Sequence, residues 1–466
     1  MYMKLWKNVR RLAAHRRFIH QETTGTIKVD ESSQTIGHQE PSPQFDQLRN
    51  ELKDFDDLAD AVTPLWRIPY EKQLELKDHK NFEIMVKLTK RLKPNSTSNG
   101  IITQLKGTLP SPVTMHYRNK NDFHIRYDLS GRVVVGLCVG KASTNTLRCI
   151  KADNLVNTHP THTNVARHLQ EFIQDHSQWK ACEHFQRGGN WRSLLIRSNH
   201  KFELMAIVTI HPQDLKEEEI RSEMERMKDY LLASPVGKQL VSIYYQCSQH
   251  TRATAEQCPF VLIHGQSHIY EQIGDYEFRI SPESFFQINT QAARLLYDTV
   301  SLQLAPKKMS TVVDLCCGTG TQGLMVARHA RGVIGIELSK SAVEDARFNA
   351  ALNSIHNAEF IAGRVEKLFK PIMEQLEISP DIAVIVNPTR GGVDRRIISL
   401  LRENERVRNL VYISCQADGP AMNNFVDLCH SPTRRTTSEP FVLKRAIPID
   451  LFPHTNHCEL ILSFRR

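Results

Sequence analysis

Apolar residues follow two regimes along the chain. Up to about residue 270 they fall in mixed helical and alternating patterns, and beyond residue 310 in short, near-continuous runs separated by helical stretches. In the first regime "LELKDHKNFEIMVKLTKRL" spaces its apolar residues like one face of a helix, and "KPNSTSNG" then breaks it. "RVVVGLCVG" (132–140), "WRSLLIRS" (191–198) and "FELMAIVTI" (202–210) read as strands, the last two joined by the turn "NHK". Helices are predicted over 164–175 and 216–231, and "QLVSIYYQCS" resumes the strand pattern, an α+β arrangement. In the second regime, after "SPESFFQINT" and a helix "QAARLLYDTVSLQL", the runs "TVVDLCC", "GVIGIEL", "AEFIAG", "IAVIVNP" and "LVYIS" alternate with helical segments. That alternation predicts a doubly wound, mostly parallel α/β sheet. Ligands of such sheets bind just beyond the carboxyl ends of the strands.

These patterns divide the chain into four parts: a basic leader and linker (1–43), a helical segment (44–95), an α+β domain (96–275) and a doubly wound domain (276–466). The first 20 residues hold six Lys/Arg and no acid, with Leu5, Trp6, Val9, Leu12 and Ala13 at helical spacing. The pattern fits a mitochondrial transit peptide, and hence the matrix, with a nuclear or RNA-binding basic arm as the alternative. Residues 19–43, rich in Thr, Ser, Gln, Gly and Pro, read as a flexible linker.

Composition narrows the partner. A formal charge of +9, from 60 Lys+Arg against 51 Asp+Glu, favours a polyanion, of which nucleic acid is the commonest. No apolar run is long enough to cross a bilayer, so no membrane partner is expected. Ten cysteines, none before Cys138, show no CxxC pair and no Cys/His cluster. Free thiols in a reducing compartment are expected, and no metal. "HYRNKNDFHIRYD" (116–128) mixes basic and aromatic residues in a way that suits RNA, although its spacing is that of an ordinary amphipathic strand with one solvated face.

Candidate chemistry gathers in the doubly wound part. "VVDLCCGTGTQG" brings Gly318, Gly320 and Gly323 after a strand that holds Asp314, and the next strand ends in Glu337. Glycines there let backbone approach a ligand, and an acid at that place can accept both hydroxyls of a ribose. NAD and S-adenosylmethionine both carry such a ribose, and the loop alone leaves both open. Asn349 and Asn353 follow on the next helix, available to an adenine. The fourth run ends "NPTRGG", where Thr389-Arg390 replaces the Pro and aromatic that nitrogen-methylating enzymes use to hold an amine. The fifth ends in Ser414-Cys415, a thiol at the mouth of a strand. Buried filler is the bland reading of that cysteine.

The motifs "SPESFFQIN", "DLCCGTGT", "IELS", "NPTRGG", "YISC" and "FPHTNHCEL" occur in the order that marks the RNA (uracil-5-)-methyltransferases, and the chain resembles that family over about residues 60–466. "FPHTNHCEL" weighs most, since packing alone offers no evident reason to assemble it. The resemblance implies a class I, Rossmann-like S-adenosylmethionine-dependent methyltransferase domain with an N-terminal α+β RNA-binding domain. It implies Cys415 as nucleophile and Glu459 as base, with Glu459 on a final strand beside the strand of Cys415. It implies contacts to S-adenosylmethionine from Gln287, Glu337 and Asn387, with Gly318 and Gly320 in the cofactor loop. The bland roles of the first three are a helix cap, a surface salt bridge and an Asx turn.

The implied product is 5-methyluridine in mitochondrial RNA, at U54 of tRNA, with a uridine of small-subunit rRNA as a second candidate. Bacterial rRNA-directed relatives carry an N-terminal iron–sulfur cysteine cluster, and with no cysteine before Cys138 none is expected here. The group that activates Cys415 is not identified; nearby polar groups and a helix dipole after residue 420 are the candidates. Two rivals stand beside this reading: a methyltransferase on another base, and a non-catalytic RNA-binding or folding factor that keeps the scaffold. Cytosine-C5 enzymes set their cysteine after Pro, whereas Ser414 precedes Cys415.

Overall fold

Two seven-stranded sheets organise the computed structural model. It describes residues 43–92, 104–128, 130–141, 144, 146–183, 188–249, 257–376, 381–432 and 438–466, so the leader and linker lie outside the described residues. Residues Glu51–Arg466 make one compact unit. Its elements begin with α1 (Pro43–Val62) and α2 (Tyr70–Leu92). There follow β1 (Lys120–Tyr127), β2 (Val133–Val139), β3 (Arg148–Ile150), α3 (Pro160–Asp175), β4 (Trp191–Ser198), β5 (Leu204–Ile210), α4 (Glu217–Ala233), β6 (Leu240–Cys247) and β7 (Phe260–Gly265).

The first sheet runs β3-β2-β1-β4-β5-β6-β7, with β5 and β6 parallel and the other pairs antiparallel. Strand β1 buries Asn121, Phe123 and Ile125 and exposes Asp122 and His124, the period of a half-solvated antiparallel strand. Helices α3 and α4 cover the buried face. Helix α3 starts with Pro160 at its first turn, after His159 accepts from the Thr161 amide, and buries Val165, Ala166, Leu169, Phe172 and Ile173. Leu58 and Ala59 of α1 join the same core.

A hairpin, β8 (Ile269–Ile273) and β9 (Tyr276–Ile280), precedes α5 (Thr290–Leu304). Then come β10 (Thr311–Leu315), α6 (Thr321–Ala327), β11 (Gly332–Glu337), α7 (Lys340–Leu352), β12 (Ala358–Ala362), α8 (Val365–Gln375), β13 (Ile382–Val386), α9 (Arg395–Glu403), β14 (Val407–Ser414), α10 (Ala421–Cys429), β15 (Val442–Ile449) and β16 (Glu459–Arg465). The second sheet runs β12-β11-β10-β13-β14-β16-β15. Strands β10 to β14 pair in parallel, and β16 is antiparallel to both neighbours.

Every residue of β10 and β13 is buried, which explains the unbroken apolar run of β13 and the near-continuous one of β10, where Asp314 is the buried exception. A fully buried Val, Leu or Ile contributes roughly 1.5–3 kcal/mol, so such strands are the natural centre of the fold. One face of the sheet packs on α5, α6, α7 and the hairpin. The other packs on α8, α9, α10 and, from the far end of the chain, on Ile84, Met85, Leu88 and Leu92 of α2. The two N-terminal helices therefore serve different cores. The order around β10, with β11 on one side and β13 on the other, is a topological switch point, and its crevice opens at the carboxyl ends of the strands.

Candidate active site

Strands β10, β11, β13 and β14 each lead into one or more of the expected residues at that crevice. After β10 the chain turns sharply, with Cys316 at φ 63°, Gly318 at 54° and Gly320 at 78°. The two expected glycines differ in what lies behind them. A Cβ on Gly320 would meet Phe360 Cζ at 2.8 Å and Ala346 Cβ at 2.9 Å, so this glycine lets the loop pack on β12 and α7. A Cβ on Gly318 would meet nothing within 4 Å. Gly318 faces open space, as a backbone approached by a ligand must.

Glu337, half-buried at the end of β11, accepts from the Gly318 amide at 3.1 Å and from the Leu338 and Ser339 amides at 2.7 and 3.0 Å. It joins the glycine loop to the start of α7 and makes no ion pair among the described residues. Three of the roughly four lone-pair sites of a carboxylate are in use, which leaves one for a ribose hydroxyl without breaking a backbone bond. Asn387, just past β13, donates its amide to Leu315 O at 3.2 Å, and its side chain holds no hydrogen bond among the described residues. The side chains of Asn349 and Asn353 are engaged by protein groups. Asn349 accepts from the Arg279 amide and donates to Thr319 O of the glycine loop, and Asn353 binds Glu277, so the two tie the hairpin, and Asn349 also the glycine loop, to α7.

Gln287 is buried in the loop between β9 and α5, and its carbonyl accepts from the side chain of Asn119, just ahead of β1, at 2.8 Å. It does not cap α5; Asn289 does, accepting from the Ala292 amide at 3.1 Å. Asp345 on α7 fastens the same loop, accepting from Arg279 Nε (2.7 Å), Ser281 N (3.1 Å), Ser281 Oγ (2.9 Å) and Ser284 Oγ (2.7 Å). Arg197 of β4, also buried, donates to Ser284 O.

Cys415 and Glu459 meet at the junction of β14 and β16. Ser414 pairs with Leu460 in the antiparallel register, so the next residue on one strand stands across from the preceding residue on the other. Glu459 is 5% exposed, and burial alone pushes its carboxyl up to about 7. Burial also pushes the half-buried Cys415 thiol up, and the charge of Glu459 adds to this; the positive charge of the Arg390 guanidinium opposes both. Arg390 is the one cation whose charge acts on the thiol among the described residues. It sat in view within "NPTRGG", two residues past Pro388, and what the sequence could not say is that β13 and β14 are neighbours.

The loop before Glu459 has a packing reason after all. Lys77 of α2 donates to Asp450 at 2.6 Å and to Phe452 O at 3.0 Å, with both charged side chains at most 2% exposed. Tyr70 donates to Asp450 at 3.0 Å, Gln73 and His454 exchange two hydrogen bonds, and Tyr117 donates to Pro453 O at 3.0 Å. "FPHTNHCEL" is thus clasped by residues more than 330 positions upstream.

A family model described as tRNA (uracil-5-)-methyltransferase matches residues 217–466, more than half of the chain. The tRNA (uracil-5-)-methyltransferase homolog B of Danio rerio is 42% identical over 416 residues, covering 88% of this chain and 86% of the relative. The human homolog B is 38% identical, covering 88% of this chain and 84% of the relative. A solved structure of the Pyrococcus abyssi tRNA (uracil-54, C5)-methyltransferase with S-adenosyl-L-homocysteine is 22% identical at a TM-score of 0.57, covering 86% of this chain and 84% of that one. The last shares the class I methyltransferase fold. By the family model and the extent of the first two likenesses, this chain belongs to the tRNA (uracil-5-)-methyltransferase family.

Proposed function

We propose that the chain forms 5-methyluridine in RNA, with Cys415 as nucleophile and Glu459 as base, and that its substrate is tRNA at U54 in mitochondria. One observation carries the chemical part: a thiol and a carboxyl meet across β14 and β16, and the carboxyl is held near neutrality by burial. The names of the relatives support tRNA, and the archaeal neighbour's name supports position 54. The matrix address rests on the basic, acid-free first 20 residues, and an rRNA uridine is a further target of the same chemistry.

S-adenosylmethionine is the methyl donor and supplies an electrophilic methyl group. The crevice residues fit it: open space at Gly318, a carboxylate with a spare lone pair at Glu337, and the unengaged side chains of Asn387 and Gln287. C5 of uracil is too weak a nucleophile to take the methyl unaided. The Cys415 thiolate adds to C6, and the electrons of the C5–C6 double bond move to form an enolate across C4 and C5. C5 then bonds to the methyl carbon as that carbon's bond to the sulfonium sulfur breaks, its electron pair staying on sulfur in the departing thioether, S-adenosyl-L-homocysteine. Glu459 removes the remaining C5 proton, the C5–C6 double bond reforms, and the C6–S bond breaks to return the thiolate. A carboxyl near 7 takes that proton at neutral pH and releases it to water afterwards. Arg390 stabilises the thiolate at both ends of the cycle.

The test uses RNA containing 5-fluorouracil, whose C5 fluorine cannot leave as a proton does. With S-adenosylmethionine the wild-type chain should form a stable protein–RNA adduct, and Cys415→Ala should form none. Glu459→Gln should accumulate the adduct even on ordinary uridine RNA. Equal behaviour of wild type and Cys415→Ala would sink the assignment.

A further inference from the structure

Helix α2 carries cations of two kinds. Lys72 pairs with Glu75, Lys77 with Asp450, and His79 lies 3.7 Å from Glu83. Lys80, Lys87 and Arg91 hold no carboxylate among the described residues. They reach only neutral oxygens: Lys80 the carbonyl of Asn456 at 3.3 Å, Lys87 the carbonyl of Asp418 at 3.4 Å, and Arg91 the side-chain oxygen of Asn423 at 2.8 Å. At 3.6 residues per turn, positions 80, 87 and 91 lie within about 40° of one another, a single row about 16 Å long. The row borders the buried stripe of Asn81, Ile84 and Leu88 and leaves Lys87 and Arg91 exposed.

Its position gives the row a purpose. Lys80 and Cys415 line one small cavity of about 20 Å³, together with Asp418, Asn456 and Cys458. From there the row follows the loop after Cys415 to α10. Exposed Arg390 and His457 stand at the same mouth. A uridine brought to Cys415 must leave its stack, and its backbone has to be held while it does so. Unpaired cations beside the nucleophile meet that need, because each phosphate neutralised releases counterions and adds salt-sensitive affinity.

We propose that Lys80, Lys87 and Arg91 are a phosphate-binding row that receives the RNA backbone on one flank of the reacting uridine. The proposal rests on the uridine-methylating reading above. It adds a substrate-binding element from a helix outside the region that the family model matches.

The test compares the full chain with Lys80→Gln/Lys87→Gln/Arg91→Gln. Glutamine removes the charge and keeps a donor for the loop oxygens. A control triple, Lys307→Gln/Lys308→Gln/Lys370→Gln, removes as much charge elsewhere. Methylation of a tRNA transcript and its equilibrium binding are measured across a salt series. The row variant should raise KM for tRNA by tenfold or more, with kcat within twofold of wild type. Its slope of log affinity against log salt should be shallower by about 2–3, from roughly 0.7–0.9 per phosphate lost.

A row variant that matches the control triple in KM and slope overturns the proposal. So does a variant that loses kcat at unchanged KM, since that is the mark of a misplaced loop. If the wild-type chain makes no 5-methyluridine, the functional reading fails, and the binding slope alone then decides the row.

Discussion

Replacing Glu459 by Gln should stabilise the protein at alkaline pH while destroying its turnover. The carboxyl sits at about 7 in the folded chain against 4.5 for the unperturbed side chain. At 1.36 kcal/mol for each pH unit between the two, the burden amounts to about 3 kcal/mol. Its sign follows from proton counts. Below about pH 4.5 both the folded and the unfolded chain hold the proton, and Glu459 costs nothing by ionisation. Between 4.5 and 7 the unfolded chain sheds a proton that the folded chain keeps, so rising pH favours unfolding. Above about 7 both forms are ionised, and the full penalty is in place.

Glutamine never ionises, so the variant escapes this slope. Asp314, wholly buried and also pushed up to about 7, carries a slope of its own, but it stands in both proteins and cancels in their difference. Urea unfolding of wild type and Glu459→Gln at pH 5, 6, 7 and 8 reads the effect directly. The stability difference should open in favour of the variant as pH rises, level off above pH 7, and reach about 3 kcal/mol. A difference that stays flat from pH 5 to 8 would refute the claim that Glu459 is held near neutrality by burial.

Two further substitutions probe the surroundings of the pair. Arg390→Met removes the cation that opposes burial at Cys415, so adduct formation should slow several-fold at pH 7 and recover as pH rises; an unchanged pH–rate profile would exclude Arg390 as the activating group. Lys77→Met strands a buried carboxylate that keeps only the Tyr70 hydroxyl and the Phe452 amide, and should cost about 3 kcal/mol, the low end for a broken buried pair. Lys77→Met/Asp450→Leu should recover most of that loss in urea unfolding, and a loss under 1 kcal/mol for the single change would show the pair to be solvated.

What the chain disclosed of this site follows the range of each interaction. Near-continuous apolar runs announced β10, β11, β13 and β14 because a strand largely covered on both faces has few polar positions. Cys415 and Glu459 were legible through motif order, and β16 does lie beside β14. Asn349 and Asn353 read as open amides because a sequence shows an amide on a helix but not the hairpin that engages it. Gly318 and Gly320 looked alike in "CGTG" and differ only in what stands behind them, open space in one case and Phe360 in the other. The clasp of α2 on the catalytic loop left no signal, since Lys77 and Asp450 are 373 positions apart and share no periodicity.

That clasp bears on the chemistry through register. Cys458 and Leu460 face the cavity that Lys77 lines, whereas Ile461 faces α5 on the opposite side of the sheet and Glu459 by alternation turns that way too; Cys415, at the end of β14, borders both that cavity and the Glu459 carboxyl. Tyr297 of α5 lies within the field of the Glu459 carboxylate, and no cation contributes to the shift of that carboxyl. A buried lysine is therefore one strand-face away from the base without touching it. A slip of a single residue along β16 would turn Glu459 toward Lys77 and put a cysteine in its place. The paired carboxylate would fall back toward the ordinary range and could not take a proton at neutral pH. By engaging Lys77 with Asp450, ahead of the strand, the loop occupies the one buried cation of α2 and pins the register at the same point. An ion pair that adds little to net stability can still anchor the loop ahead of a strand, and the ladder pairs of β16 with β14 and β15 then hold Glu459 on its face of the sheet.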